Sequence, residues 1–238
     1  MKTLGLVGGT GWISTVEYYR YINEEVGRRL GGLNAARCIL YSINYAEIDQ
    51  FNQRGDRAGV FNLVLKAAHV LEQGGADGIL LCANTLHGFA ADLQPRISRP
   101  ILHIADATAD EIRGRGLTCV GLLGTRPTME GGFIRDRLAA AGIHAEVPEA
   151  PDRAFIHESI RTELLRGRFL PETRDRFLEI ISGLARRGAE GIVLGCTEIP
   201  LLITPAHAPL PIIDTLAVHA RAAVDFALGD SMPAPRTA

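Results

Sequence analysis

Residues 75–81 read Gly-Ala-Asp-Gly-Ile-Leu-Leu, and residues 188–194 read Gly-Ala-Glu-Gly-Ile-Val-Leu, 113 positions later. Two further pairs keep nearly this spacing. Gly5-Leu6-Val7-Gly8 matches Gly121-Leu122-Leu123-Gly124 at 116, and Pro100-Ile101-Leu102 matches Pro211-Ile212-Ile213 at 111. Three ordered matches at near-constant offset mark an internal repeat. Each string is a short apolar run bounded by glycine or proline, as in a strand buried on both faces. Helix-period segments fill the gaps. Strands alternating with helices give parallel sheets covered by helices on both faces. The expected fold is α/β: two similar three-layer αβα domains related by a pseudo-twofold axis. Ligands of such sheets bind at the carboxyl ends of the strands, so the active site is expected in the cleft between the two domains.

Strands are expected at 3–7, 37–44, 77–82 and 100–104, and again at 117–123, 144–147, 191–195 and 210–214. Helices are expected over 58–73, from 104 to Arg113, and over 129–141, 153–166, 172–187 and 216–228. After Gly8-Gly9-Thr10-Gly11, a helix puts Val16, Tyr19, Ile22, Val26 and Leu30 on one face. Ser14 with Glu17 reads as its capping box and Gly31 as its stop. Residues 1–113 make the first domain and 114–214 the second. A C-terminal helix near 215–228 packs back on the first, and 229–238 is a loose tail.

Composition narrows the function. The 238 residues are 47% hydrophobic and 22% charged, with a net charge of -2. That balance excludes wholesale disorder and argues against a nucleic-acid partner, which needs a basic surface. No apolar run is long enough to span a membrane, and the N-terminus lacks a signal-peptide pattern. Four cysteines without a C-x-x-C pair suggest a reducing, cytoplasmic setting.

Carried past the matched strands, the 113-residue offset aligns Cys82 with Gly195, Ala83 with Cys196, Asn84 with Thr197 and Thr85 with Glu198. Cys196 therefore stands at a strand tip. Cys82 is one residue out of register and, with Cys38 and Cys119, reads as core. Asn84 and Thr85 are placed to contact a substrate carboxylate or amine, or to cap the next helix. Thr197 shares that role. Glu198 would bind the substrate amine or cap. Thr125 and Thr128 follow the fifth strand as Thr10 follows the first, facing the cleft or serving the turn. His87 reads as a core or surface histidine more than as part of the first loop. The arginines of 161–176 alternate with glutamates on a solvated face. No metal is expected, since no His/Cys spacing fits one, and the glycine loop lacks the pattern of a nucleotide site.

Leu-Cys-Ala-Asn-Thr-Leu-His (81–87), Gly-Cys-Thr-Glu-Ile (195–199) and Gly-Leu-Val-Gly-Gly-Thr-Gly-Trp-Ile-Ser-Thr (5–15) resemble the signatures of the aspartate/glutamate racemase family. Leu33, Tyr45-Ala46-Glu47-Ile48, Ile104-Ala105-Asp106-Ala107-Thr108 and Leu123-Gly124-Thr125-Arg126 resemble its broad aspartate/glutamate branch. The resemblance runs from Lys2 to about Leu228. It implies a cofactor-independent amino-acid racemase, a pyridoxal-independent isomerase that inverts Cα with one base on each face. Cysteine suits both roles, because its pKa can be brought near neutrality. It also implies an acidic amino acid as substrate, and a homodimer is expected.

Here the pattern breaks. Cys196 fills the second catalytic position, but the first falls on Ala83, which carries no transferable proton. Three readings stay open. One is an engineered Cys→Ala or Thr→Ala trap. Another is a natural one-base enzyme, racemising weakly or acting as an arylmalonate-type decarboxylase. The third is a catalytically silent amino-acid or dicarboxylate-binding protein. The basic pair that some aspartate-specific members use falls on Leu165 and near Phe51-Asn52. Recognition of an acidic side chain would then rest on Asn52, Gln53 or Arg54, or the substrate differs.

Overall fold

The structure, a computed structural model, describes residues 1–229. The expected tail lies outside the described residues from Asp230 onward. The first half runs β1 (Leu4–Gly8), α1 (Trp12–Leu30), β2 (Cys38–Ser42), α2 (Tyr45–Gln53), α3 (Arg57–Gln73), β3 (Gly78–Leu81), α4 (Ala90–Leu93), β4 (Ile101–Leu102) and α5 (Ile104–Gly114). The second runs β5 (Cys119–Gly124), α6 (Arg126–Glu130), α7 (Gly132–Ala140), β6 (His144–Glu146), α8 (Ala150–Thr162), α9 (Pro171–Arg186), β7 (Gly191–Gly195), β8 (Ile212–Asp214) and α10 (Thr215–Leu228). Two four-stranded sheets result, ordered β2-β1-β3-β4 and β6-β5-β7-β8, and every pairing is parallel. Helices flank both, as the α/β reading requires.

The repeat has a physical basis that both halves share. Asp77 accepts the Thr3 amide at 2.7 Å, and Glu190 accepts the Thr118 amide at 2.7 Å, so one acidic residue clips each pair of strand starts together. Gly5 and Gly121 have no room for a side chain. A Cβ would lie 3.0 Å from Ile79 Cδ1 in the first sheet and 2.7 Å from Ile192 Cδ1 in the second. At the other end of the same strands, a Cβ on Gly8 would meet Thr15 Cγ2 at 2.5 Å, and one on Gly124 would meet Thr128 Cγ2 at 2.8 Å. Glycine is required wherever a helix side chain must press on the strand backbone.

The chain divides into two compact units. One comprises residues 1–82, 89–102 and, among the described residues, 219–229. The other comprises Ala83–Gly88 and His103–Val218, so α5 and the loop after β3 belong with the second sheet. In the first unit, the Lys2 amide donates to Ala227 O at 2.9 Å, and a Cβ on Gly78 would strike Phe226. His219 contacts Tyr18 Oη through Nδ1 and Leu102 O through Nε2, each at 2.8 Å. Because a carbonyl only accepts, Nε2 carries the proton and Tyr18 donates to Nδ1.

Several local expectations change. On α1 the covered residues are Ser14, Thr15, Tyr18, Ile22 and Val26, while Val16 and Tyr19 face outward. Helix α1 begins before Ser14, whose hydroxyl donates back to Gly11 O at 2.8 Å, so no Ser14–Glu17 capping box forms. Helix α2 has no counterpart in the periodicity, because Ile48 is its one buried residue. Asn44 caps it by accepting from the Ala46 amide at 3.2 Å. The helix expected over 129–141 is two helices broken at Gly131, whose Cβ would lie 2.4 Å from Pro127 O.

Gly9 holds the first glycine loop in shape with φ +86, and a Cβ there would fall 2.1 Å from Ile43 O. Gly9→Ala should cost at least about 2 kcal/mol, combining left-handed strain with a backbone clash. Urea unfolding of wild type and variant measures it.

Candidate active site

Strands β5 and β7 end together, with Gly124 paired to Gly195. A Cβ on either glycine would lie 2.8 Å from Thr128 Cγ2, so one threonine methyl fills the place of both missing side chains. Thr128 is buried, and its hydroxyl lies 3.1 Å from that of Thr125. One step beyond the glycine pair, Thr125 and Cys196 leave adjacent strands side by side.

Cys196 is buried and donates its S–H to Glu198 Oε2 at 3.0 Å. The Thr197 hydroxyl donates to the same oxygen, also at 3.0 Å. Burial, then the negative charge of Glu198, hold the Cys196 pKa well above its ordinary value. The thiol therefore rests protonated, beside a carboxylate able to receive its proton. Glu198 caps no helix through its side chain. The Thr197 hydrogen is committed to Glu198, which leaves its oxygen lone pairs for other partners.

The loop Ala83–Gly88 is anchored to this same unit. Asn84 Nδ2 donates to Thr215 Oγ1 at 3.0 Å, and Thr215 donates to Leu194 O on β7 at 2.8 Å. The single hydroxyl hydrogen of Thr215 goes to that carbonyl, so the hydroxyl can only accept from Asn84. The amide orientation is thereby fixed. Asn84 Oδ1 is left buried, with no hydrogen-bond partner among the described residues. Such an acceptor costs about 1–3 kcal/mol unless something donates to it. Thr10 Oγ1, in the first unit, is in the same position. Ala83 and Thr85 are half-buried, and Asn52 is exposed on α2.

Thr215 and His157 escaped the sequence reading. Thr215 opens a helix, where threonine is unremarked. His157 sits within α8, where its Nδ1 accepts from the Arg126 amide at 3.2 Å, and burial with the Arg126 and Arg161 charges lowers its pKa. The proton is on Nε2, a donor set one residue beyond Thr125. The remaining histidines and thiols offer less. His87 and His103 are buried ring against ring at 4.5 Å, and burial followed by the Arg137 charge brings His103 down to about 4. The Cys82 thiol is pushed up by burial, and Cys38 and Cys119 are only half-buried in their strands. Among the described residues no group of three His, Cys, Asp or Glu side chains could hold a metal, and no helix is long and apolar enough to cross a membrane.

The comparisons agree with this architecture. The Asp/Glu/hydantoin racemase family model matches residues 7–223. A Yersinia pestis structure, provisionally described as an Asp/Glu racemase, is 45% identical with a TM-score of 0.89, over 96% of this chain and 100% of that one. An aspartate racemase homologue from Pyrococcus horikoshii is 32% identical with a TM-score of 0.81, over 95% and 99%. The broad specificity amino-acid racemase of Bacillus subtilis is 26% identical over 161 residues, 68% of this chain and 69% of that protein. The chain belongs to the Asp/Glu/hydantoin racemase family, whose named members are isomerases.

A negative carboxylate disfavours the thiolate beside it, so removing that charge must lower the thiol pKa. Glu198→Gln should shift the pH profile of Cys196 alkylation to lower pH. Peptide mass spectrometry of iodoacetamide-treated protein reads the profile.

Proposed function

We propose that this protein moves the α-proton of an acidic amino acid on and off without a cofactor, through Cys196. The observation that carries the reading is the buried Cys196 thiol bonded to the Glu198 carboxylate at a strand tip. Glu198 takes the S–H proton, the thiolate removes the α-hydrogen, and the same sulfur returns a proton to the carbanion. Ala83, where a second base would stand, can neither give nor take a proton. The chemistry is therefore one-faced: exchange at Cα outruns inversion, and inversion waits for water on the Ala83 side.

The surrounding groups sort by what they can recognise. Asn84 Oδ1 accepts, which suits the substrate ammonium, and Thr10, Thr85 and Thr197 offer hydroxyls. Thr125, Thr128 and the His157 Nε2–H suit a carboxylate, in the field of Arg126 and Arg161. Asn52 is a lesser candidate for the side-chain carboxylate. On this reading His157→Ala should raise KM for aspartate or glutamate about tenfold, with little change for alanine. Steady-state kinetics on the three substrates decide it. The protein is further read as a cytoplasmic homodimer.

Ala83 also favours a second reading, decarboxylation of a disubstituted malonate, which needs a proton donor on one face only. Restoring the missing base separates the two. Chiral chromatography of aspartate and glutamate should show racemisation rising at least about 100-fold in Ala83→Cys over wild type. If Ala83→Cys and Ala83→Thr add nothing while malonates lose CO2, the racemase reading fails.

A further inference from the structure

The loop that carries Ala83 and Asn84 is held at two points. Residues Asn84–Phe89 wind as a 3-10 helix, with about three residues per turn, so Asn84 and His87 project from the same face. Asn84 is tied to Thr215 at 3.0 Å. His87, one turn on, is buried against the His103 ring, with centroids 4.5 Å apart and planes at 61°. Rotating the turn to release one side chain displaces the other. His103 is itself fixed. It precedes α5, and its Nδ1 accepts from the Ala105 amide at 3.1 Å, which caps the helix. An accepting nitrogen carries no proton, so the proton is on Nε2 and the ring orientation is set. Ala105, Ala109 and Ile112 seat α5 in the core of the second unit.

We infer that His103 is a positioning residue for the Cys196 site: its ring, fixed by the α5 cap, holds His87, and through the shared face of the turn it sets the place of Asn84 at the β7 tip. Its effect on turnover rests on the proposed role of Asn84 in binding the substrate ammonium; its effect on Asn84 does not. The ring must be neutral to do this, because a protonated Nδ1 would point a hydrogen at the Ala105 N–H. Arg137 from α7, Asp106 from α5 and His87 from the loop act on it, and Arg137 and Asp106 are paired through two contacts at 2.7 Å. Burial, followed by the Arg137 charge, lowers the His103 pKa from 6.5 to about 4. The fold thus favours the neutral ring. That contribution is complete above pH 6.5 and is lost as pH falls toward about 4.

NMR of the full chain labelled with 15N-asparagine reads the position directly, because the Asn84 side-chain amide is the group bonded to Thr215. His103→Asn keeps an acceptor at the α5 cap, so wild-type circular dichroism and a melting temperature close to that of wild type are expected. It removes the ring, so the Asn84 side-chain resonance should shift. KM for aspartate or glutamate should rise about fivefold with kcat nearly unchanged, since Cys196 and Glu198 are untouched. In wild type the same resonance should move on acidification with the midpoint of the His103 ring protons, at about pH 4, and in His103→Asn it should not follow. An Asn84 resonance and a KM that are both unchanged in His103→Asn overturn the positioning role, and a shifted resonance with KM unchanged overturns its effect on turnover. A shifted resonance in a protein that turns over no amino acid, wild type included, supports the positioning and refutes the proton-transfer reading. If His103→Asn fails to fold, the wild-type titration decides: an Asn84 resonance that stays still while His103 titrates overturns the inference.

Discussion

Everything at the β7 tip depends on a thiol and a carboxylate being buried 3.0 Å apart. Neither is at ease alone. A buried carboxylate needs donors, and it has two, from Cys196 and Thr197. A buried thiol beside a negative charge keeps its proton, and the carboxylate that accepts its hydrogen bond lies within reach of that proton. The pair is thus a store for one proton, set where the strand backbone ends and water is largely excluded. The bare glycine tips make room for it. Gly124 and Gly195 let Thr128 close over the strand ends, so the loops begin at a fixed height above the sheet.

The two halves are alike where they hold the sheets and different in the loops past the strand tips. Asp77 and Glu190 clip the strand starts in the same way, and Gly5 and Gly121 face equivalent isoleucines. One residue past the strands the likeness ends, with Ala83 opposite Cys196 and Thr85 opposite Glu198 in the repeat. A parallel sheet constrains its interior tightly through packing, while its tip loops are free to diverge. The hydrogen-bond chain from Asn84 through Thr215 to Leu194 then ties the divergent first loop to the tip of β7.

That division also explains what the sequence could and could not reveal. Buried parallel strands are continuous apolar runs, so β1, β3, β5 and β7 are legible to within a residue or two, and the repeat orders them. Helix α2 is invisible in the sequence because one buried residue makes no period. The covered face of α1 is illegible for the opposite reason. Its apolar residues lie on two faces, and periodicity cannot say which of them another element covers. The place of Cys196 at the β7 tip is legible from the repeat. The Glu198 contact is not, because a glutamate two residues past a cysteine has many places to point. Thr215 and His157 act through hydrogen bonds to residues far off in sequence, which spacing alone does not encode.

The most direct test of the central claim follows the α-hydrogen itself. Single enantiomers of aspartate and glutamate are incubated in D2O with wild type and with Cys196→Ser, and the α-proton is watched by NMR. The account predicts that wild type exchanges the α-hydrogen of one enantiomer faster than the mirror image accumulates, and that Cys196→Ser abolishes the exchange. Exchange that persists undiminished in Cys196→Ser would contradict it.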